Sequence, residues 1–231
     1  MDNKNLSLLI PTLNAGSSWV RLLDSIEQQS LKVSQKLIID SGSADDTVAT
    51  AIAYGFEVRS IKKEEFNHER VRQNLVDLTG DGTELCIFLT QDAILASNES
   101  LKNLVSAFDG PEVGMAYGRQ LPHLNAKPLE THLRLFNYPD ASEVLSIQDI
   151  GRKGFKVFFC SNSFAAYRKR TLGLVGGFPS YAIMGEDAIV AAKTLEAGFK
   201  KAYVAPATVY HSHNYKVKED FKHYFDTRVF H

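Results

Sequence analysis

Residues 37–46, Leu-Ile-Ile-Asp-Ser-Gly-Ser-Ala-Asp-Asp, decide the fold of this chain. An apolar run ends in a polar loop, and Ser43 and Asp46 have the spacing of a capping box that opens a helix through Tyr54. A strand, a short loop and a helix in succession form the unit from which parallel sheets are built. The segment therefore predicts an α/β protein.

The same unit recurs on both sides of this segment. Apolar runs at residues 6–10 and 85–89 alternate with stretches of helical spacing such as residues 18–29. Continuous apolar strands separated by helices predict a mostly parallel central sheet with helices on both faces. In the less regular second half we predict a strand at residues 157–160, a helix at 186–196, and short strands at 201–205 and 208–211.

The composition is that of a folded protein in a reducing compartment. Lys and Arg number 26 and Asp and Glu number 27, so the net charge of −1 argues against a general electrostatic attraction to nucleic acid. Hydrophobic residues make up 44% and charged residues 23%, which is atypical of a disordered chain. Cys86 and Cys160 are too few for a disulfide framework and lack partners at zinc-ligand spacing.

The N-terminus has a short apolar run ended by Pro11, without the features of a signal peptide, and no window approaches the ~20 apolar residues of a membrane span. We therefore expect a cytoplasmic protein. The chain stops at His231 soon after an amphipathic stretch, so we expect a truncated C-terminal segment. Residues 216–225 are a candidate membrane contact, although an amphipathic packing helix is the simpler interpretation.

Several common catalytic motifs are absent from the sequence. Gly80-Asp81-Gly82 lacks the third glycine of a dinucleotide fingerprint and precedes a strand instead of following one. The sequence contains no P-loop, no G-x-S-x-G elbow and no H-E-x-x-H. These absences weaken the hypotheses of a dehydrogenase, an NTPase, a serine hydrolase and a zincin.

Ligands of parallel sheets bind at the carboxyl ends of the strands. This rule selects Thr12, Asn14, Asp40, Gln91 and Asp92, which follow predicted strands. Asp40 has the chemistry to accept the imide N–H of uracil or thymine, but it is equally interpreted as a turn residue that caps the next helix. Asp92 is a candidate ligand of Mg²⁺ or Mn²⁺, or alternatively a helix cap.

Glu186 and Asp187 open a predicted helix, where acidic side chains are favoured by the helix dipole alone. Adjacent side chains at a helix start diverge by about 100°, so only one of them faces a site. We favour Asp187 as a general base, with Glu186 as a supporting or acceptor contact. Such a base needs desolvation or a neighbouring negative charge to remain basic enough.

A His-x-His pair, His211 and His213, has metal-ligand geometry if it lies on a strand, although surface histidines are the commoner outcome. Arg72 lies at helical spacing from His68 and is a candidate phosphate contact, or simply part of a polar helix face. Arg119, at the end of a predicted strand, is a further candidate for lining the site.

Taken in order, five motifs resemble family 2 glycosyltransferases of the GT-A fold, and within them the bacterial rhamnosyltransferase-type group. They are I-P-T-L-N (10–14), I-I-D-S-G-S-A-D-D-T (38–47), L-T-Q-D-A (89–93), G-G-F-P with M-G-E-D (176–187), and H-S-H-N-Y (211–215). The similarity runs from about Leu6 to Tyr215. The segment around His68 also resembles that group's F-x-H-G-x-x-R-N, with Glu69 in place of its glycine and Gln73 between Arg72 and Asn74.

The resemblance implies one domain over residues 1–231, with a nucleotide-binding half at about 1–120 and an acceptor and catalytic half at about 121–215. It implies roles for the candidate residues: donor binding by Pro11, Thr12, Asn14, Asp40, Arg72, Gln91, Arg119 and Asn162; binding of Mg²⁺ or Mn²⁺ by Asp92 and His213; and catalysis by Asp187 with Glu186. Thr90 stands where the first Asp of the family's D-x-D metal motif is expected, which weakens the metal site.

The activity that the resemblance implies is inverting transfer of a sugar, with L-rhamnose a candidate, from a dTDP- or UDP-sugar to a hydroxyl of a polysaccharide or lipid-linked glycan. Such an acceptor would place the enzyme at the inner face of the cell membrane. Two alternatives remain. One is a catalytically silent sugar-nucleotide-binding module, which the intact Glu186-Asp187 pair disfavours. The other is a nucleotidyltransferase, which needs a Gly-rich basic loop where residues 12–18 have one glycine and no basic residue.

Overall fold

The computed structural model describes residues 5–63, 67–123, 125–179 and 185–211. The first half of the chain alternates strands with helices. Its strands are β1 (Leu6–Thr12), β2 (Gln35–Asp40), β3 (Glu57–Ser60), β4 (Leu85–Leu89) and the short β5 (Ile94–Leu95). Its helices are α1 (Trp19–Glu27), α2 (Thr47–Ala53), α3 (His68–Asp77) and α4 (Ser100–Ser106).

The second half is built around two long strands. The strands are β6 (Val113–Leu121), β7 (Glu143–Leu145), β8 (Phe164–Arg168) and β9 (Lys200–Tyr210). The helices are α5 (Pro128–Asn137), α6 (Ile150–Lys153), α7 (Lys169–Leu174) and α8 (Glu186–Glu196). The helix predicted at residues 186–196 is therefore confirmed.

The described strands form one sheet in the order β3-β2-β1-β4-β8-β6-β9-β5, and β7 pairs with β9. Strands β1 to β4 run parallel, β6 and β9 run parallel to each other, and β8 runs antiparallel to both β4 and β6. Within the described ranges, only β5, β7 and β8 point against the remaining strands. The prediction of a mostly parallel α/β sheet is confirmed.

Alternate residues of the central strands pack on opposite faces of the sheet. Leu8 and Ile10 of β1 lie in one apolar cluster with Trp19 of α1, while Leu9 lies in the other with Val71 of α3. All five residues of β4 are buried. Burial on both faces is why these strands are continuous apolar runs without polar alternation.

Two sequence predictions of strands were wrong. Residues 157–160 do not form a strand; Val157 lies in a 3-10 helix at Gly154–Phe158, and the strand comes later, at Phe164–Arg168. The two short strands predicted at 201–205 and 208–211 are one strand, β9. Its register against β6 shifts between Gly118 and Arg119, and this irregularity accommodates Pro206, which lacks an N–H for the ladder.

The capping box predicted at Ser43 and Asp46 was also wrong. Helix α2 begins at Thr47, and its N-cap residue Asp46 makes no capping hydrogen bond with its side chain. The Ser43 hydroxyl donates to Asp40 Oδ1 at 2.5 Å, so this side chain is tied to β2 and not to the helix. The Thr47 N–H is instead accepted by Asp45 Oδ1 at 3.1 Å.

None of the helices in the described ranges has both the length and the apolar character needed to cross a bilayer.

Candidate active site

The loop after β2 is organised by Asp40, which is 2% exposed. Its Oδ2 accepts the backbone N–H groups of Gly42 (3.0 Å) and Ser43 (2.8 Å). Its Oδ1 accepts the hydroxyls of Thr12 (3.0 Å) and Ser43. The parallel register places Thr12 directly beside Asp40, so the carboxyl ends of β1 and β2 are locked together. Four donors on one carboxylate make Asp40 foremost an organiser of this loop.

Asn14 joins the loop after β1 to the loop after β2. Its backbone N–H donates to Ser43 Oγ at 2.8 Å, and its side-chain oxygen accepts the Ala44 N–H at 2.8 Å. Its φ of 45° lies in the left-handed region, which asparagine tolerates better than most residues. Gln91, after β4, brackets Leu13 by accepting its N–H (2.8 Å) and donating to its carbonyl (3.1 Å). The structure thus brings together the strand-end residues that the sequence selected.

A second group forms around a buried ion pair between Arg72 of α3 and Glu186 of α8. The Arg72 Nη1 and Glu186 Oε1 atoms lie 2.8 Å apart, and the two side chains are 9% and 10% exposed. Asn162 donates from Nδ2 to the same carboxylate oxygen at 3.2 Å, and its Oδ1 accepts the Tyr167 hydroxyl at 2.7 Å. Arg72, which the sequence suggested as a phosphate contact, is therefore a partner of Glu186.

Asp187 lies beside this pair and remains partly exposed. Its Oδ1 accepts the Ala188 N–H at 2.9 Å and its Oδ2 accepts the Asn162 N–H at 3.3 Å. Burial and the negative charge of Glu186 raise the pKa of Asp187 to about 6, against the opposing effects of Arg72 and these two N–H donors. The carboxylate is therefore ionised at neutral pH yet more basic than an ordinary aspartate, as a general base requires.

The third group pairs Asp92 with His211. His211 Nε2 lies 3.4 Å from Asp92 Oδ1, and the side chains are 9% and 34% exposed. His211 Nδ1 lies 3.0 Å from Oε1 of Gln120, whose Nε2 donates to Ser161 Oγ at 2.8 Å. The Thr90 hydroxyl nearby in sequence is buried without a hydrogen-bond partner among the described residues. Within the described ranges no group of three or more His, Cys, Asp and Glu side chains is placed to hold a metal ion.

The remaining predicted residues are placed as follows. Pro11 lies in β1 beside Ile39. Arg119, on β6, donates from Nε to the Tyr138 carbonyl at 3.1 Å and supports the segment after α5. His213, the predicted metal ligand, lies outside the described residues. His211, its neighbour in the His-x-His pair, is the histidine that the structure places beside Asp92.

Sequence reasoning missed one contributor, Lys201. It took residues 117–120 as a strand end that is a candidate for lining the cleft, and residues 161–164 as a segment that resembles the lining of the donor sugar, but it predicted no contact for Gln120 or Ser161. Lys201 gave no sequence signal because its burial depends on distant strands: it is 1% exposed, donates to the Phe159 carbonyl, and has its Nζ 5.4 Å from the centre of the Tyr117 ring. Burial lowers the pKa of Lys201 to about 8.

Chemically, the site contains an activated carboxylate, a carboxylate–imidazole pair and a hydrogen-bonded loop at the strand ends. The loop of residues 160–163 connects the first two, because Asn162 contacts both acidic residues of α8 and Ser161 contacts Gln120. This set can take a proton at Asp187 and can bind a divalent cation together with phosphate oxygens, since Mg²⁺ sites commonly use one or two protein ligands plus phosphates. The Thr90 hydroxyl, two residues before Asp92, is a buried polar atom of this loop that lacks a partner among the described residues.

The family model described as "Glycosyl transferase family 2" matches residues 7–174. The O-antigen chain rhamnosyltransferase RfbN of Salmonella typhimurium is 48% identical over 227 residues, which are 98% of this chain and 72% of the relative.

Two solved structures show the same fold at low sequence identity. TarS 1–349 of S. aureus, in complex with UDP-GlcNAc, has a TM-score of 0.70 at 15% identity and covers 92% of this chain and 59% of its own. The mannosyltransferase PcManGT of Pyrobaculum calidifontis, in complex with GDP-Man and Mn²⁺, has a TM-score of 0.67 at 16% identity and covers 90% and 56%. This chain thus spans less than two thirds of either solved chain.

Proposed function

Because this chain belongs to glycosyl transferase family 2 and has the GT-A fold, we propose that it is an inverting transferase of L-rhamnose from dTDP- or UDP-rhamnose. The acceptor in this proposal is a hydroxyl of an O-antigen-type glycan, in the polysaccharide or still linked to lipid. The rhamnosyltransferase relative, at 48% identity, supports both the sugar and the acceptor class. The single observation that carries the activity is the position of Asp187, which is held by two backbone N–H groups beside a buried Arg72–Glu186 pair.

In this mechanism Asp187 takes the proton of the acceptor hydroxyl. Each of its oxygens accepts one backbone N–H, which fixes the carboxylate and leaves lone pairs for the acceptor. The deprotonated hydroxyl then attacks the anomeric carbon from the side opposite the nucleotide, through an oxocarbenium-like transition state. Glu186 is paired with Arg72 and accepts a hydrogen bond from Asn162 Nδ2, so we assign it as a fixed neighbour of Asp187 and not as a second base.

Asp92 and His211 are the proposed side-chain ligands of Mg²⁺ or Mn²⁺, with His213 a further candidate. Their facing atoms, Oδ1 and Nε2, are 3.4 Å apart and so lie side by side as neighbouring ligands would. A divalent cation bound there with the donor supplies positive charge against the diphosphate that leaves. The Mn²⁺ and GDP-Man in the PcManGT complex are consistent with this assignment.

Donor binding is assigned to the strand-end loops. The edge of the nucleotide site is formed by Pro11, Thr12, Asn14 and Gln91. Asp40 holds the loop of residues 41–44, which we place against the nucleobase. Arg119 and Asn162 are proposed on the sugar side. We also propose that residues 1–231 act as one domain in the cytoplasm, at the inner face of the membrane where a lipid-linked acceptor would be presented.

A thermal-shift panel tests the donor and metal assignments. UDP, dTDP, GDP, CMP and their sugar conjugates are each added with and without Mn²⁺. A ligand at about 100 times its Kd stabilises by roughly 2.7 kcal/mol, which is a readily measured rise in Tm. We expect dTDP or UDP to raise Tm, and Mn²⁺ to increase that rise. A folded protein that responds to no nucleotide would contradict the proposal.

Exchange of Asp92 for Asn, with Asp109→Asn as a control on a distant 3-10 helix, then separates the metal from the nucleotide. The Asp92 variant is expected to lose the Mn²⁺-dependent part of the rise and keep the part that the nucleotide gives alone.

A further inference from the structure

We propose that Gln120 is a positioning residue that orients His211 toward the divalent cation and sets the loop of residues 160–163 in register with it. This inference rests on the proposed function, and it assigns a role to a buried side chain that acts through His211 and Ser161. Gln120 lies near the end of β6 and is 2% exposed.

The two ends of the Gln120 amide contact two different parts of the site. Nε2 donates to Ser161 Oγ at 2.8 Å, and Oε1 lies 3.0 Å from His211 Nδ1. Because the amide nitrogen is already donating to Ser161, the oxygen is left to accept from Nδ1–H. A neutral imidazole protonated on Nδ1 has its lone pair on Nε2.

That lone pair is on the side of the ring facing Asp92, whose Oδ1 lies 3.4 Å from Nε2. An imidazole held in the opposite tautomer would present an N–H to the cation and could not ligate it. Hydrogen bonds from a second residue commonly fix the tautomer and ring orientation of metal-binding histidines. Gln120 therefore determines whether the Asp92–His211 pair is competent to bind a cation.

The backbone makes this arrangement stiff. The register pairs Gln120 with Val209 and Leu121 with Tyr210, and the His211 N–H donates to the Leu121 carbonyl at 3.0 Å. Strands β6 and β9 thus fix the main chain on either side of the contact, and the Gln120 amide contacts the ring itself at Nδ1.

The nitrogen end of the Gln120 amide contacts the loop that also contacts the proposed general base, Asp187. Ser161 Oγ lies 3.3 Å from Ser163 Oγ, and the Thr90 N–H donates to the Ser163 carbonyl at 3.4 Å. The next residue, Asn162, donates its N–H to Asp187 Oδ2. One buried amide therefore stands between the cation ligands and the loop that contacts the general base.

The test measures Mn²⁺ affinity by electron paramagnetic resonance of free Mn²⁺, in the presence of saturating dTDP or UDP. Three exchanges are compared: Gln120→Leu removes both contacts, Gln120→Glu keeps an acceptor for Nδ1–H and a partner for Ser161, and Ser161→Ala removes only the loop contact. Gln29→Leu is the matched control, because Gln29 is also 2% exposed and bonds to Ser25 and Ser97 in another part of the fold.

We expect Gln120→Leu to weaken Mn²⁺ binding by roughly 10–100-fold, the usual cost of removing a residue that orients a metal ligand. Gln120→Glu should restore affinity to within about threefold of the unmodified chain, because a carboxylate also accepts from Nδ1–H. Ser161→Ala should leave Mn²⁺ affinity within about twofold while lowering kcat, and Gln29→Leu should change stability only.

Unchanged Mn²⁺ affinity in folded Gln120→Leu would overturn this inference and leave the proposed function standing. If that variant does not fold, Gln120→Asn replaces it, since the shorter amide cannot span both partners; unchanged affinity there has the same meaning. An unmodified chain that binds no Mn²⁺ with any nucleotide would overturn the metal assignment itself, and with it the role of Gln120. Equal losses in the Leu and Glu variants would also contradict the role, because Glu keeps an acceptor for Nδ1–H that Leu lacks, and Ser161→Ala separately reports the loss of the loop contact.

Discussion

Arg72 Nη1 and Glu186 Oε1 lie 2.8 Å apart in a nearly buried ion pair that connects helix α3 to the first turn of helix α8. Glu186 is the residue before Asp187, and both charges of the pair act on the proposed base: Glu186 raises its pKa and Arg72 lowers it. Breaking a buried pair by removing one partner is costly because it leaves an uncompensated charge. The pair therefore controls both the stability of this end of α8 and the pKa of Asp187.

Exchange of Arg72 for Ala is expected to destabilise the fold by about 3–5 kcal/mol. It also removes a charge that lowers the pKa of Asp187, so in protein that remains folded the acidic limb of kcat/KM should move to higher pH. Chemical denaturation and a pH profile measure the two effects. Arg70→Ala, on an exposed position of the same helix, is the control and should change neither. If the acidic limb of kcat/KM does not move in Arg72→Ala, the ion pair does not control the pKa of Asp187.

The pH dependence of transfer follows from Asp187 itself. Because the base must be ionised, kcat/KM is expected to rise with pH through about 6 and then level off. A profile that is flat between pH 5 and pH 7, measured with an acceptor that does not titrate there, would exclude Asp187 as the group that limits the rate.

The same raised pKa has a consequence for stability. A carboxyl whose pKa rises on folding binds its proton more tightly in the folded state, so the fold loses stability as pH rises from about 3.8 to about 6. Asp187→Asn removes this pH-dependent penalty, so its free energy of unfolding relative to the unmodified chain should rise by on the order of 1–3 kcal/mol between about pH 4 and pH 7. A pH-independent loss is added to this, because the N–H of Ala188 or Asn162 would face the new NH₂. A stability difference between the two proteins that does not change with pH would show that folding does not raise the pKa of Asp187.

Asp40 is expected to be intolerant of the isosteric exchange to Asn. Asp40 is the acceptor in all four of its hydrogen bonds, and an amide has one acceptor oxygen where the carboxylate has two. One N–H or hydroxyl group would face the new NH₂, at a cost of about 1–3 kcal/mol. The Tm and the rise in Tm that dTDP or UDP produces should both decrease. Asp46→Asn, exposed at the N-cap of α2 and with no capping hydrogen bond from its side chain, should retain nucleotide binding.

Gly118 is required by close packing on both sides of β6. A Cβ there would lie 2.4 Å from Phe164 Cδ1 and 2.5 Å from the Ala207 carbonyl oxygen. Gly118→Ala should cost about 1–3 kcal/mol through overpacking. It should also weaken Mn²⁺ binding, because Gln120 lies two residues further along the strand. Gly173→Ala meets no atom within 4 Å and should be neutral or stabilising in denaturant titrations.

The first half of the fold was predictable because its signal is local. The β1, β2 and β4 segments are short apolar runs ended by polar loops, and the rule that ligands bind at the carboxyl ends of strands selected Thr12, Asp40 and Gln91 directly. Asp187 was selected by its place at a helix start. The positions of these residues at strand ends or at a helix start can be predicted from the residues next to them in the sequence.

The remaining part of the site depends on contacts between distant segments. The strand predicted at residues 157–160 was wrong because an apolar run alone does not distinguish a strand from a buried 3-10 turn. Arg72 contacts Glu186, and Gln120 contacts His211, only because the fold packs together strands and helices that are far apart in the chain. Partner choice of this kind is set by topology, which no local pattern encodes.

The most direct test of the central claim is a transfer assay that compares Asp187→Asn with the unmodified chain. The donor is dTDP- or UDP-rhamnose, and the acceptors are lipid-linked glycans from Salmonella cells that lack the RfbN relative. The masses of the products are measured by mass spectrometry. We predict that the unmodified chain adds one deoxyhexose and that Asp187→Asn lowers the rate by roughly 10²–10⁴-fold. Nucleotide binding should be kept. Glu196→Gln, exposed at the far end of α8, should retain full activity. Near-normal transfer by Asp187→Asn would contradict the account.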